Sequence, residues 1–189
     1  MPGSIVWWKG QLEWLQKVDP RLLRDKVVVL FGDISDQVYY QKIMAEATRK
    51  NINLLHSTYV NPKFLVDVLC CSKIVVMNHY PDPPMQPIIG PARTFGEATI
   101  CRNICLMGQT SMPNSKIGKS SFVPLEWSEY TIEYDQTTPQ GVNSSLAQAM
   151  SSDISQLNFE KQISMEEKCD EIFEASIANM KKHANEDSS

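Results

Sequence analysis

Four short runs constrain this chain more than any other feature: KVVVLFGD (26–33), INLLHSTYV (52–60), KIVVMNHY (73–80) and ICLMG (104–108). Each has three to five apolar residues without alternation. A strand with one wet face alternates, whereas a strand buried on both faces of a parallel sheet does not. Helical stretches separate the runs. QLEWLQKVDPRLLRD (11–25) puts Leu12, Leu15 and Leu22 inward and is interrupted by Pro20. DQVYYQKIMAEATRKN (36–51) places Val38, Ile43, Met44 and Ala47 at helical spacing, with Asp36 as N-cap and Asn51 closing it. NPKFLVDVLCCS (61–72) opens on an Asn cap with Pro62 at the first helical position. SIVWW (4–8) reads as a further strand at the start, SSFVPL (120–125) as a sixth, and NSSLAQAMSS (143–152) as a short helix.

Right-handed crossovers between such elements give an α/β fold, a Rossmann-like three-layer sandwich with a mostly parallel sheet of about six strands. Residues 1–158 are expected to form this domain. Residues 159–189 form an acidic amphipathic C-terminal helix and tail, with Ile163, Met165, Cys169, Ile172, Phe173, Ile177 and Met180 mostly on one stripe. Of 18 basic and 22 acidic residues, 4 and 8 fall in 160–189, so the preceding part is neutral at 14 of each. No basic cluster points to nucleic acid. No apolar run approaches the roughly 18 residues of a membrane span, and no signal peptide is read at MPGSIVWWKGQ. Five cysteines, Cys70 and Cys71 adjacent in an apolar run, suggest reduced and mostly buried thiols, hence a cytoplasmic location.

Ligands of an open parallel sheet bind beyond the carboxyl ends of its strands. Those ends are Lys9-Gly10-Gln11, Gly32-Asp33, Ser57-Thr58-Tyr59, Asn78-His79-Tyr80, the 90–97 loop and Gln109-Thr110-Ser111. His79 sits where a general base or phosphate ligand could be, the alternative being a hydrogen-bonded structural residue. GPARTFGE (90–97) has the parts of an anion pocket: glycines for close backbone approach, Arg93 to grip phosphate and Glu97 to accept from sugar hydroxyls. The bland reading is an Arg93–Glu97 pair on a helix surface. PNSKIGKSS (113–121) fails as a phosphate loop, because Pro113 stands where glycine is required and no helix follows. Cys101 and Cys105 are four apart but form no CxxC pair, so no metal site is assigned. Trp7, Trp8 and Trp14 could stack a sugar or base, with core packing expected for at least two of them.

From Ser4 to Met150 this order of elements resembles the C-terminal half of GT-B-fold glycosyltransferases, which holds the nucleotide-sugar donor. IVWWKGQLEWLQKV looks like the family's first strand, glycine turn and helix. VVVLFGD is similar to its second strand, and GEATICRNICLMGQT to the helix and strand that carry a ribose-binding glutamate. The resemblance implies that Gly10 and Lys17 approach the donor diphosphate and that Glu97 binds the ribose. Asn78, His79 and Arg93 resemble a branch with Asn-x-His and an arginine near that glutamate. Ile89 departs from the pattern, standing where a first glutamate precedes Glu97 by eight positions. The implied activity is transfer of a sugar from a nucleoside diphosphate sugar to an unidentified acceptor, with His79 near the reacting sugar. An acceptor-binding domain or subunit would be the partner, and no metal or cofactor is expected. Two other readings stay open: a non-enzymatic module binding a partner through 159–189, and a small nucleoside-processing enzyme using Asp33, Asp82 or Glu97.

Overall fold

The computed structural model of the protein describes residues 1–58, 62–78, 98, 101–108 and 131–153, all within one compact unit, Met1–Ser155. The architecture is α/β with parallel strands. Strands β1 (Val28–Phe31) and β2 (Leu54–Ser57) pair in parallel, Val28 opposite Leu54. Strands β3 (Ile74–Met77), β4 (Ile104–Gly108) and β5 (Thr131–Tyr134) form a second parallel sheet in the order β3-β4-β5. Among the described residues four helices accompany them: α1 (Gln11–Lys17), α2 (Gln37–Arg49), α3 (Pro62–Cys70) and α4 (Pro139–Ser151). The described strands thus fall into a two-stranded and a three-stranded sheet. The expected strand at 120–125 and the expected helix within 159–189 lie outside the described residues.

The expected strand Ser4–Trp8 is replaced by something more irregular. Pro2 bridges Phe31 and Ile5 bridges Ile34, both in parallel. Gly3 N donates to Phe31 O at 2.8 Å and Ile5 N to Asp33 O at 2.8 Å. The chain then turns into a 3-10 segment, Trp7–Lys9, closed by Gly10 at φ 63°. Proline at position 2 has no N–H to give a ladder, and the left-handed residue at 10 ends any extension. Two tryptophans leave the core as a result: Trp7 is 42% exposed and Trp8 39%, while Trp14 is buried.

Helix α2 shows how local chemistry sets an element. The Asp36 carboxylate accepts from Tyr39 N at 2.9 Å, satisfying one orphan donor of the first turn. At the other end Asn51 takes φ 53°, Asn51 N donates to Thr48 O and Ile52 N to Ala47 O. That pair of bonds is a Schellman motif, with asparagine in the left-handed position. The buried face is Tyr39, Ile43 and Ala47, four residues apart. Ile43 and Ala47 face inward as expected, Met44 is half-buried, and Val38, 62% exposed, gives its expected place to Tyr39. The tyrosine wins the inward position because its hydroxyl finds partners on α1: it accepts from Leu12 N at 2.9 Å and donates to Glu13 at 2.7 Å.

Pro20 interrupts the segment after α1 as expected, and a 3-10 turn follows over Pro20–Leu23. Leu12, Leu15 and Leu23 enter the core with Leu30, Ile43, Leu106 and Leu146, while Leu22 is partly buried against it. Each fully buried aliphatic side chain contributes about 1.5–3 kcal/mol. Burial of thiols is uneven: Cys105 in β4 is buried, whereas Cys70 and Cys71 are exposed at the end of α3. The apolar run around that pair supplies Leu65 and Leu69 to the interior and leaves the thiols outside.

Between β1 and β3 lies a groove of about 650 Å³, lined by Met1, Val29, Phe31, Phe64, Ile74 and Leu146 among others. The Met1 ammonium is buried and donates to Val29 O at 2.8 Å, and burial lowers it from 8.0 to about 5.

Two outcomes follow from these contacts. A Cβ on Gly32 (φ 153°) would sit 2.3 Å from the Gly3 carbonyl oxygen, so Gly32→Ala should cost about 2 kcal/mol in urea melts. An unchanged midpoint would contradict the close approach. For the Met1 amine the folded pKa, about 5, lies below the unfolded 8.0. The unfolded chain binds more protons in that window, so stability should rise from pH 5 to 8 and level off above it. Acetylating the amine should flatten that slope.

Candidate functional site

Parallel strands point their carboxyl ends to one edge, and polar side chains collect there. Asn78, directly after β3, is 3% exposed. Its Nδ2 donates to Gly10 O at 3.4 Å, and the Tyr134 hydroxyl at the end of β5 donates to Asn78 Oδ1. Gln136, two residues beyond β5, is buried beside Gly108 at the end of β4. A Cβ at Gly108 would fall 1.3 Å from Gln136 Oε1 and 3.2 Å from Asn78 Oδ1, so glycine at 108 makes room for both amides. Gln11 completes the group: it is buried, its Nε2 donates to Ser4 O at 3.1 Å, and its Oε1 has no partner among the described residues. Buried polar atoms are ordinarily satisfied; Trp14 Nε1 and Asn103 Oδ1, outside this group, are likewise without a partner among the described residues.

Of the six residues singled out by sequence, the structure brings Gly10 and Asn78 together. Gly10 adopts φ 63°, ψ 22° and bonds Trp7 O at 3.1 Å; glycine there serves the turn as well as any ligand. Lys17 stands at the far end of α1, about 10 Å along the axis at 1.5 Å per residue. Its Nζ donates to Glu13 O at 3.3 Å. Lys17 also helps hold the Asp135 carboxylate low, after the larger effect of bonds from Thr137. His79, Arg93 and Glu97 lie outside the described residues.

Three further side chains bear on this edge. Lys9 precedes Gly10, its aliphatic stem about 3.7 Å from the position of a Gly3 Cβ, and burial lowers its ammonium. Trp7 and Trp8 meet edge to face at 5.7 Å and remain exposed beside the turn. His56 is structural in character, its Nε2 2.9 Å from Gly32 O and its ring 5.1 Å from Tyr40. Asp33 is exposed, and its backbone carbonyl accepts from Ile5 N. Cys101 and Cys105 do not converge, since Cys105 points into the core of β4. Among the described residues no three His, Cys, Asp or Glu side chains gather around a point where an ion would sit.

Sequence reasoning missed Tyr134 and Gln136 because TIEY (131–134) was not read as a strand. Its β-branched Thr131 and Ile132 and aromatic Tyr134 were one signal. The other was the cluster DQTTP that follows, where Thr138 caps α4 by accepting from Gly141 N at 3.1 Å.

Taken together, the parallel strands and the helices that accompany them define an α/β fold with a polar carboxyl edge. Among solved structures, AviGT4, a glycosyltransferase involved in avilamycin A biosynthesis, is similar to this chain. The TM-score is 0.51 at 16% identity, over 78% of this chain and 40% of that one. At that identity the likeness is one of fold. The chain thus spans about two fifths of the glycosyltransferase it matches. No protein-family model matches the sequence, and no curated protein is similar enough to count as a relative. No helix among the described residues is long and apolar enough to cross a membrane.

The Tyr134–Asn78 bond yields a direct test. Tyr134→Phe strips the donor from a buried Asn78 Oδ1 and should lower stability by about 1–2 kcal/mol. Thermal or urea unfolding checks it, and a neutral result would mean that the amide finds another donor.

Proposed function

We propose that this chain is the nucleotide-sugar-binding half of a glycosyltransferase of the GT-B kind. The observation that carries the proposal is the likeness of fold to part of AviGT4, joined to the buried polar group at the carboxyl edge around Gly10 and Asn78. In this reading the two sheets are halves of one doubly wound sheet of six strands. Pro2–Ile5 stands beside β1 and takes the central place, giving the order 3-2-1-4-5-6 of dinucleotide-binding folds.

The donor lies across the carboxyl edge. Gly10 presents bare backbone to the diphosphate, and Asn78 holds the Gly10 carbonyl so that the turn keeps its shape. Lys17 and Arg93 neutralise charge that develops on the departing nucleoside diphosphate. Glu97 accepts from the ribose hydroxyls, and His79 lies by the sugar, where a general base or a hydrogen-bond donor to the leaving oxygen is needed. Trp7 and Trp8 offer an exposed aromatic face to a sugar or base. The acceptor is held by a second domain or subunit, since enzymes of this kind react in a cleft between two halves.

Titration of the chain with UDP, GDP, ADP, CMP and their sugars, followed by thermal shift or NMR, tests the reading. One nucleotide should give a saturable response, weakened severalfold in Glu97→Ala and in Arg93→Ala with the fold intact. Silence across the panel from a folded sample would overturn donor binding by this chain. An unchanged affinity in Glu97→Ala would remove that residue from the site.

A further inference from the structure

Helix α3 ends at Cys70, and the turn that leads into β4 contains Cys101. Their sulfurs are 3.2 Å apart, although the residues are 31 positions apart in sequence. Both segments precede the amino ends of β3 and β4, the edge opposite to the polar group around Asn78. Strands of four and five residues, at about 3.3 Å each, separate the two edges.

The sulfurs are held close by bonds that do not involve them. Asn103 is fully buried, and its Nδ2 donates to Leu69 O at 2.9 Å, which also accepts from Ser72 N, and to Ser72 O at 2.5 Å, just beyond the end of α3. Ile104 N donates to Lys73 O at 3.0 Å, and Asn103 N to Ala98 O at 2.9 Å. Arg102 at φ 60° makes the turn tight. The end of α3 and the entry to β4 are therefore tied together beside the thiol pair by Asn103 and Ile104. Cys70 is exposed and Cys101 half-buried, so a small oxidant reaches the first sulfur. Cys71 is exposed one step further round the helix end.

We propose that Cys70 and Cys101 form a reversible intramolecular disulfide, a modification site that ties α3 to the entry of β4. With glutathione disulfide as oxidant, the Cys70 thiolate attacks one sulfur and expels a glutathione thiolate. The Cys101 thiolate then attacks the Cys70 sulfur of the mixed disulfide and expels the second glutathione. Two protein thiols lose two electrons and two protons, and one glutathione disulfide becomes two glutathiones. Closing the bond brings the sulfurs from 3.2 Å to about 2.05 Å, a side-chain movement. Because the bond closes a long loop, the oxidised form resists unfolding more than the reduced form. The proposal is independent of nucleotide binding.

The test equilibrates the full chain in glutathione buffers stepped from reduced to disulfide-rich, then quenches, denatures, alkylates and weighs it. Alkylated thiols should fall from five to three, counting the five cysteines of the chain. Tryptic peptides 64–73 and 94–102 should be joined, and the melting temperature should rise and fall back with dithiothreitol. Peptide 64–73 holds both Cys70 and Cys71, so Cys71→Ser must keep the cross-link while Cys70→Ser abolishes it. Five alkylated thiols at every ratio, a bond through Cys71, or linkage only between chains would each overturn the proposal.

Discussion

The arrangement depends on one close approach, where the backbone of Gly3 crosses that of Gly32. No side chain fits between them, since a Cβ on Gly32 would lie 2.3 Å from the Gly3 carbonyl oxygen. The contact lets Gly3 and Ile5 donate to Phe31 and Asp33. It delivers Ile5 to the core and aims the chain at the turn where Gly10 begins α1. Gln11 and Leu12 then have fixed positions, one reaching back to Ser4 and the other bonded to Tyr39. A short N-terminal stretch thereby serves as the shared wall of the β1 region and the carboxyl edge.

That edge is an energetic compromise. Burying the amides of Gln11, Asn78 and Gln136 together costs free energy that apolar residues of the same volume would not. Part is recovered through the Gly10 carbonyl and the Tyr134 hydroxyl, and Gln11 Oε1 is left over among the described residues.

Much of this was legible in the sequence. The runs at 26–33, 52–60, 73–80 and 104–108 contain β1 to β4, and β4 is buried throughout as an unalternating run should be; β2 departs from that expectation, with Leu55 56% exposed. Asp36, Asn51 and Pro20 marked boundaries through local hydrogen bonding and φ preference, which act over three or four residues and so leave a trace in sequence. Other features depended on partners far along the chain. Val38 yields to Tyr39 because a hydroxyl 26 positions from Glu13 finds it. Trp7 and Trp8 look like core and are not, since the turn closing at Gly10 rotates them outward. Within the candidate site, Gly10 and Asn78 were legible as strand-end residues. Tyr134 was not, because its role comes from register with β4 rather than from any motif.

Helix α1 has seven residues, too few to persist alone in water. Both of its ends are finished by α2 and its cap. The Tyr39 hydroxyl receives the Leu12 N–H, and Lys50 Nζ donates to the carbonyls of Leu15, Gln16 and Val18 at 2.7, 2.6 and 2.8 Å. A helix closed at each end by another persists only while that other is in place, so loss of the Tyr39 hydroxyl or of the Lys50 ammonium would open α1 and, with it, the turn at Gly10 from which it starts.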